Sequence, residues 1–176
     1  VLFAGSAHPP NAEGFWRMLG PSLAHIPPDA CIVVVGSVGA ILHRYAPPDA
    51  RVYSLVNASV VQCVGQVPDA TLSALIWGAR AMIVPIVSGG GSNLKTAEAI
   101  ASFRPVIATS FACRGYEFAR SLQSFFVRDD PADFSAAVDR ILSEDLQDVA
   151  CSESERALRE SVFWERTLSP MRRVLM

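Results

Sequence analysis

The segment Ser88-Gly89-Gly90-Gly91-Ser92-Asn93-Leu94-Lys95 joins three consecutive glycines to the only lysine in a chain with fourteen arginines. Backbone without Cβ atoms reaches positive φ and lets a ligand come close, and a helix start just beyond it presents unpaired N–H groups. A lysine in that first turn opposes the helix dipole, so its presence points to a bound anion. Glu98 follows Leu94 at i+4 and borders the stripe that should face the rest of the fold. A carboxylate at such a border needs partners. Ribose hydroxyls would supply two charge-assisted hydrogen bonds, and a Lys95–Glu98 surface pair is the plainer alternative.

The elements that must position these residues are legible as short apolar runs alternating with helical stretches, the pattern of a parallel sheet covered on both faces. The strands are expected at Val1–Ala4, Cys31–Val35, Val60–Val64, Ala81–Pro85, Pro105–Thr109 and Phe125–Val127. Helices are expected over Ala12–Ile26, stopped by Pro27-Pro28-Asp29, over Thr71–Ala79 after Pro68-Asp69, and over Ser92–Phe103. Asp130-Pro131 should cap another through Leu142, and a last one, from Ser152 to about Leu168, should pack through Leu158, Val162 and Phe163. Trp16, Trp77 and Trp164 fall within these helices and read as core or interface anchors, and Ala46–Ser59 carries no clear signal. The expected fold is α/β, a doubly wound, six-stranded parallel Rossmann-like sheet forming one domain over residues 1–176. Ligands of such sheets bind at the carboxyl ends of the strands, where the loops Gly5-Ser6, Gly36-Ser37 and Gly89-Gly90-Gly91 fall.

Composition narrows the chemistry. A net charge of −2 gives no broad field for nucleic acid or an anionic membrane, so any phosphate site must be local. No apolar run approaches the ~18 residues of a membrane span, and a cytoplasmic location is expected. The cysteines at 31, 63, 113 and 151 have no metal-ligand spacing. No metal, cofactor or disulfide is expected, and Cys31 and Cys63 read as buried small hydrophobes. Gly5 is followed by Ser6-Ala7-His8-Pro9 rather than a dinucleotide fingerprint, and Lys95 lies four residues past Gly91, out of register for a phosphate-loop NTPase. Asn11 either caps the first helix or meets a ligand.

Ser88 through Ala99 resembles the donor-binding signature of retaining, family-4-type glycosyltransferases of the GT-B fold. Val1-Leu2-Phe3-Ala4-Gly5-Ser6 with Pro9-Pro10-Asn11 is similar to the opening of their C-terminal domain. Val64-Gly65-Gln66-Val67-Pro68-Asp69 resembles their nucleobase loop, and Pro105–Ser110 and Phe163-Trp164-Glu165 also fit. The resemblance implies a UDP- or GDP-linked sugar as donor. It places pyrophosphate on Gly89, Gly90, Gly91, Ser92, Asn93 and Lys95, ribose on Glu98 and the base beside Gly65 and Val67. Gly5, Ser6, His8, Asn11 and Arg114 are further candidates near the donor. Gly90 stands where many members carry a sugar-handling glutamate. The first-strand loop offers Ser6, His8 and Asn11 where many carry an arginine and a lysine, so phosphate charge rests on Lys95 and main-chain amides. The resemblance also implies that catalytic residues and the acceptor site belong to an N-terminal domain outside these 176 residues. The last helix, from about residue 152, would pack toward that domain. The full-length enzyme would act in polysaccharide or glycoconjugate synthesis, with peripheral membrane association. A nucleotide-sugar epimerase of the same fold and a non-catalytic scaffold domain are the alternatives.

Overall fold

A computed structural model describes residues 1–91, 93–144 and 153–163. In chain order the elements are β1 (Leu2–Ala4), α1 (Pro9–Leu19), β2 (Ile32–Val35), α2 (Leu42–Tyr45), α3 (Ser54–Val60) and β3 (Val61–Gly65). There follow α4 (Asp69–Gly78), β4 (Met82–Val84), α5 (Leu94–Ala101), β5 (Val106–Ala108), β6 (Phe125–Val127), α6 (Pro131–Ser143) and α7 (Glu153–Glu160). The six strands form one parallel sheet in the order β3-β2-β1-β4-β5-β6. The expected fold class is the one observed. The strand order reverses between β1 and β4, which share the single register pair Leu2↔Met82, and the crevice of a doubly wound sheet opens at such a point.

Alternation along the strands builds two cores. Phe3, Ile32, Val34, Ile83 and Ile107 face one way, against Phe15, Met18 and Leu19 of α1 and Phe134, Val138 and Ile141 of α6. Leu2, Val35, Met82, Val84, Val106 and Phe125 face the other, against Ala99 and Ile100 of α5 and the partly buried Leu72, Leu75 and Ile76 of α4. Asp130 caps α6 as expected, its carboxylate accepting from the Ala132 and Asp133 amides at 2.9 and 3.2 Å.

Several expectations fail for physical reasons. α1 starts at Pro9 and ends at Leu19, where Gly20, at φ 80°, closes it and donates its N–H to the Trp16 carbonyl at 2.9 Å. Leu23 and Ile26 remain buried without being helical. Asn57 satisfies the intervening backbone, accepting from the Leu23 amide and donating to the Pro21 carbonyl, both at 2.9 Å. The unreadable stretch holds a 3₁₀ turn at Pro48–Arg51 and α3. Cys63 is exposed because β3 is an edge strand with little cover, and Cys31, just before β2 begins, is only half-buried. Trp77 is exposed on α4 with the Arg104 guanidinium 5.1 Å from its ring, whereas Trp16 packs on the core and donates to the Leu42 carbonyl at 2.8 Å. Along α7, Glu155 and Arg159 are buried and Leu158 is exposed, so the expected apolar face is replaced in part by an ion pair, while Val162 packs on the second core. Trp164, Glu165 and Cys151 lie outside the described residues, as does the expected continuation to about Leu168.

Candidate functional site

The loops after β1, β2 and β3 are laced to one another by main-chain hydrogen bonds. The Gly5 amide donates to the Val35 carbonyl at 2.9 Å, the Val38 amide to the Gly5 carbonyl at 3.1 Å and the Gly36 amide to the Gly65 carbonyl at 2.7 Å. Gly36 is required there twice over: its φ is 94°, and a Cβ would stand 2.3 Å from the Gly5 carbonyl oxygen. Ser37 adds its hydroxyl, accepting from the Ala7 amide at 2.8 Å. A bulge between Val34 and Val35 shifts the register so that Val35 pairs with Gly65, which turns the Gly65-Gln66-Val67 segment at the strand end.

These loops and the start of α5 enclose a cleft of about 460 Å³. Gly5, Ser6, Gly36, Ser37, Gln66 and Val67 line one side, and Leu94, Lys95 and Glu98 the other. Lys95 donates to Asn11 Oδ1 at 2.9 Å, and Asn11 Nδ2 donates to the Ser6 carbonyl at 2.8 Å. Asn11 is buried inside α1 and does not cap it; His8 occupies the cap position, exposed and with no side-chain capping bond. Asn11 thus links the lysine to the first-strand loop, a role that neither sequence expectation for it included. No ion pair joins Lys95 to Glu98 within 4.0 Å.

Burial lowers the Lys95 ammonium below its ordinary range, an effect that the Glu98 charge opposes. Glu98 is solvent-exposed as a residue, yet protein around its carboxyl displaces enough water to raise it above the usual carboxylate range, against the pull of Lys95. Each charge is held where its surroundings disfavour it, a common condition of binding sites.

The glycines divide by role. Gly89 has φ 115° and lies close to Pro10, so the conformation itself needs glycine. Gly90 and Gly91 do not have positive φ, and a Cβ on either would meet nothing within 4 Å. Of the three glycines, Gly89 alone takes the positive φ that the sequence allowed for. Arg114, exposed and stacked 4.0 Å over Phe111, donates to the Gly89 carbonyl at 3.0 Å and braces the loop. Asn93 Nδ2 donates to the Arg114 and Phe111 carbonyls at 3.2 and 3.4 Å, and Thr96 Oγ1 to the Ala112 carbonyl at 2.7 Å. The loop after β5 thereby anchors the start of α5. Ser92 lies outside the described residues.

The cleft lining also holds Gly36 and Ser37, from a loop expected at a ligand-binding strand end, Gln66 and Leu94, from the motifs named above, and Ala4, Val35 and Leu72, for which the sequence suggested no site role. Gly14 was also passed over. Its absent Cβ lets α1 approach the end of β4, since a methyl would fall 2.0 Å from the Pro85 carbonyl oxygen. A glycine inside a helical run was the available signal.

A second hollow of about 490 Å³ lies on the other side of α5, between Ala97 and Ala101 and the aromatic rings of Tyr116, Phe118 and Phe163. It shares Leu94 and Glu98 with the first but is mainly apolar, and the described residues that line it include no cation.

Among the described residues no group of three or more His, Cys, Asp or Glu side chains could hold a metal ion. Among them, too, no helix is long and apolar enough to cross a membrane. The search of curated proteins returns no match. A solved glycosyltransferase, AviGT4, involved in avilamycin A biosynthesis, matches 98% of this chain with a TM-score of 0.58 at 20% identity, which is a likeness of fold. The match covers 48% of that protein, so the chain spans about half the length of its solved relative. The six-stranded parallel sheet thus shares the Rossmann-like fold of the matched part of that glycosyltransferase. The family model for glycosyl transferases group 1 matches residues 1–144, which include every strand and the whole cleft, and the chain belongs to that family.

Proposed function

We propose that the cleft binds the nucleoside diphosphate of a UDP- or GDP-linked sugar, and that the chain is the donor-binding half of a retaining, family-4-type glycosyltransferase. The observation that carries this reading is the meeting of Lys95, Glu98 and the loops after β1, β2 and β3 in one cleft at the reversal of strand order, with the glycine loop leading into the same helix start but not itself on the cleft lining. Main-chain amides of Gly89, Gly90, Gly91, Ser92 and Asn93, with the Lys95 ammonium, take the pyrophosphate. Only the backbone of Asn93 is free for this, since its side chain is committed to the loop after β5. Glu98 accepts from the ribose hydroxyls, and the base lies beside Gly65 and Val67. Ser6, on the β1 loop, completes the phosphate side.

Transfer breaks the bond between the sugar anomeric carbon and the β-phosphate oxygen, the new bond forms to an acceptor hydroxyl oxygen, and the hydroxyl proton passes to the leaving diphosphate. Negative charge grows on the leaving diphosphate, where Lys95 and preset amides stabilise it more than they stabilise the bound donor. Charge neutralisation by these groups, rather than by a metal, is the proposed means. The acceptor is held by a further domain, and this half alone binds without transferring. The reading also places the whole enzyme in the cytoplasm, in peripheral contact with a membrane, building a polysaccharide or glycoconjugate. An epimerase is disfavoured because, among the described residues, the cleft lining offers a single carboxylate, Glu98, and no histidine.

Calorimetric titration with UDP, GDP and their sugars tests this, repeated with Lys95→Ala and Glu98→Ala. Saturable binding that either variant weakens supports the reading. Absence of binding, or equal affinity in all three proteins, overturns it.

A further inference from the structure

The end of α5 remote from the cleft is held by a buried charged cluster. Arg159 of α7 is fully buried, and its guanidinium donates to the Ile100 carbonyl at 2.8 Å, the Arg104 carbonyl at 3.2 Å, Ser124 Oγ at 2.6 Å and Glu155 Oε1 at 3.0 Å. The Ser124 hydroxyl donates to the same Glu155 oxygen. Burial pushes the Glu155 carboxyl up, but the bonds from Ser124 and Arg159, the arginine charge and the Gln123 amide outweigh it and leave it below the usual range. An arginine taken this far out of water depends on such bonds to offset its desolvation. Two of its four acceptors are carbonyls at the exit of α5, where cations complement the helix dipole.

The same exit is gripped from two more points. Phe103, just past the helix, has φ 55°, unusual for a residue with a Cβ. The Arg156 guanidinium lies 5.5 Å from its ring, and the Phe163 ring meets it edge-on at 6.1 Å. α5 has only eight residues, and Lys95 lies about 7 Å along the axis from Ile100. Over so short a lever, motion at the exit is motion at the cleft.

We propose that Arg159 is a positioning residue for the donor site: by clasping the C-terminal end of α5 to α7, it sets where Lys95 and Glu98 stand in the cleft. The inference rests on the donor-binding reading above. Arg159 touches no ligand and acts through the helix. Lysine in its place keeps the charge but loses the planar fork that reaches two carbonyls, Ser124 and Glu155 together.

The test uses the intact protein as wild type, Arg159→Lys and Arg156→Ala, with amide hydrogen exchange without nucleotide and titration with UDP and GDP. Arg159→Lys should speed exchange over Thr96–Ala101, leave α1 and α6 protected, and weaken nucleotide binding about tenfold. Combined with Glu98→Gln it should cost less than the product of the separate losses, because both act on one contact. Unchanged affinity in Arg159→Lys, a uniform rise in exchange across the domain, or strictly multiplicative losses would each overturn the proposal. If Arg159→Lys does not fold, Arg156→Ala decides: faster α5 exchange with affinity down about threefold supports the clasp, and unaltered affinity refutes it. Failure of the wild type to bind either nucleotide would instead sink the donor reading, while exchange would still report whether Arg159 holds α5.

Discussion

Replacing the three glycines of the strand-end loop one at a time separates backbone need from ligand need. Gly89 has φ 115°, a region that residues with a Cβ rarely enter, and the nearest atom to a new methyl would be Pro10 Cγ at 3.6 Å, an ordinary contact. The cost of Gly89→Ala is therefore conformational strain of about 1–3 kcal/mol. For a domain of this size that lowers Tm by roughly 2–10 °C. Gly90 and Gly91 have ordinary backbone and open space, so alanine there should leave stability unchanged or raise it by up to about 1 kcal/mol through the unfolded chain. The added methyl would, however, stand where phosphate approaches the amides, and the loss of one or two hydrogen bonds to a charged group weakens binding roughly tenfold or more. Thermal melts and UDP or GDP titrations on all three variants read both effects. The reasoning is refuted if Gly91→Ala melts as low as Gly89→Ala, or if Gly90→Ala and Gly91→Ala both bind as wild type.

Glu98→Gln should be more stable than wild type at pH 7: the folded-state pKa of Glu98 is raised, so its stabilising effect exists below the unfolded pKa and is lost as pH rises through the folded one. Denaturant melts from pH 4 to 8 should show the gap closing toward acid, and a gap that widens there contradicts the assignment. Asn11→Ala removes the acceptor of Lys95 and the donor to the Ser6 carbonyl, so about 1–3 kcal/mol of stability and several-fold of nucleotide affinity should go together, as melts and titration will show. Asp130→Ala strips the cap of α6 and should cost about 1 kcal/mol, or roughly 2–4 °C, with nucleotide affinity unaltered.

The strands were legible because Val- and Ile-rich runs alternate with helical periods, and each is present within a residue or so of its expected bounds. The start of α5 directly after the glycine loop, with Lys95 in its first turn, was legible because the glycines break the apolar run before a helical period resumes. What stayed hidden depends on contacts between distant segments. Leu23 and Ile26 extend the apolar period of α1, and only Asn57, from α3, shows that their backbone is satisfied outside a helix. Asn11 reads as a cap or a ligand group until the loops close and Lys95 arrives at 2.9 Å. Periodicity of apolar residues marks Leu158 on α7, yet the face that buries itself carries Glu155 and Arg159, because a hydrogen-bonded ion pair can stand in a core where hydropathy counts it as surface. The bulge opposite Val35, which turns the loop beside the cleft, has no local signature at all.

The most direct measurement is an NMR titration of the ¹⁵N-labelled protein with UDP and with GDP, following every assigned amide. The expected result is saturable shifts concentrated at Gly5, Ser6, Gly65 to Val67, Gly89 to Gly91 and Leu94 to Glu98, with little change at Phe118 and Val162 beside the apolar hollow. Shifts centred on that hollow, or none at millimolar nucleotide, would contradict a donor site at the strand ends.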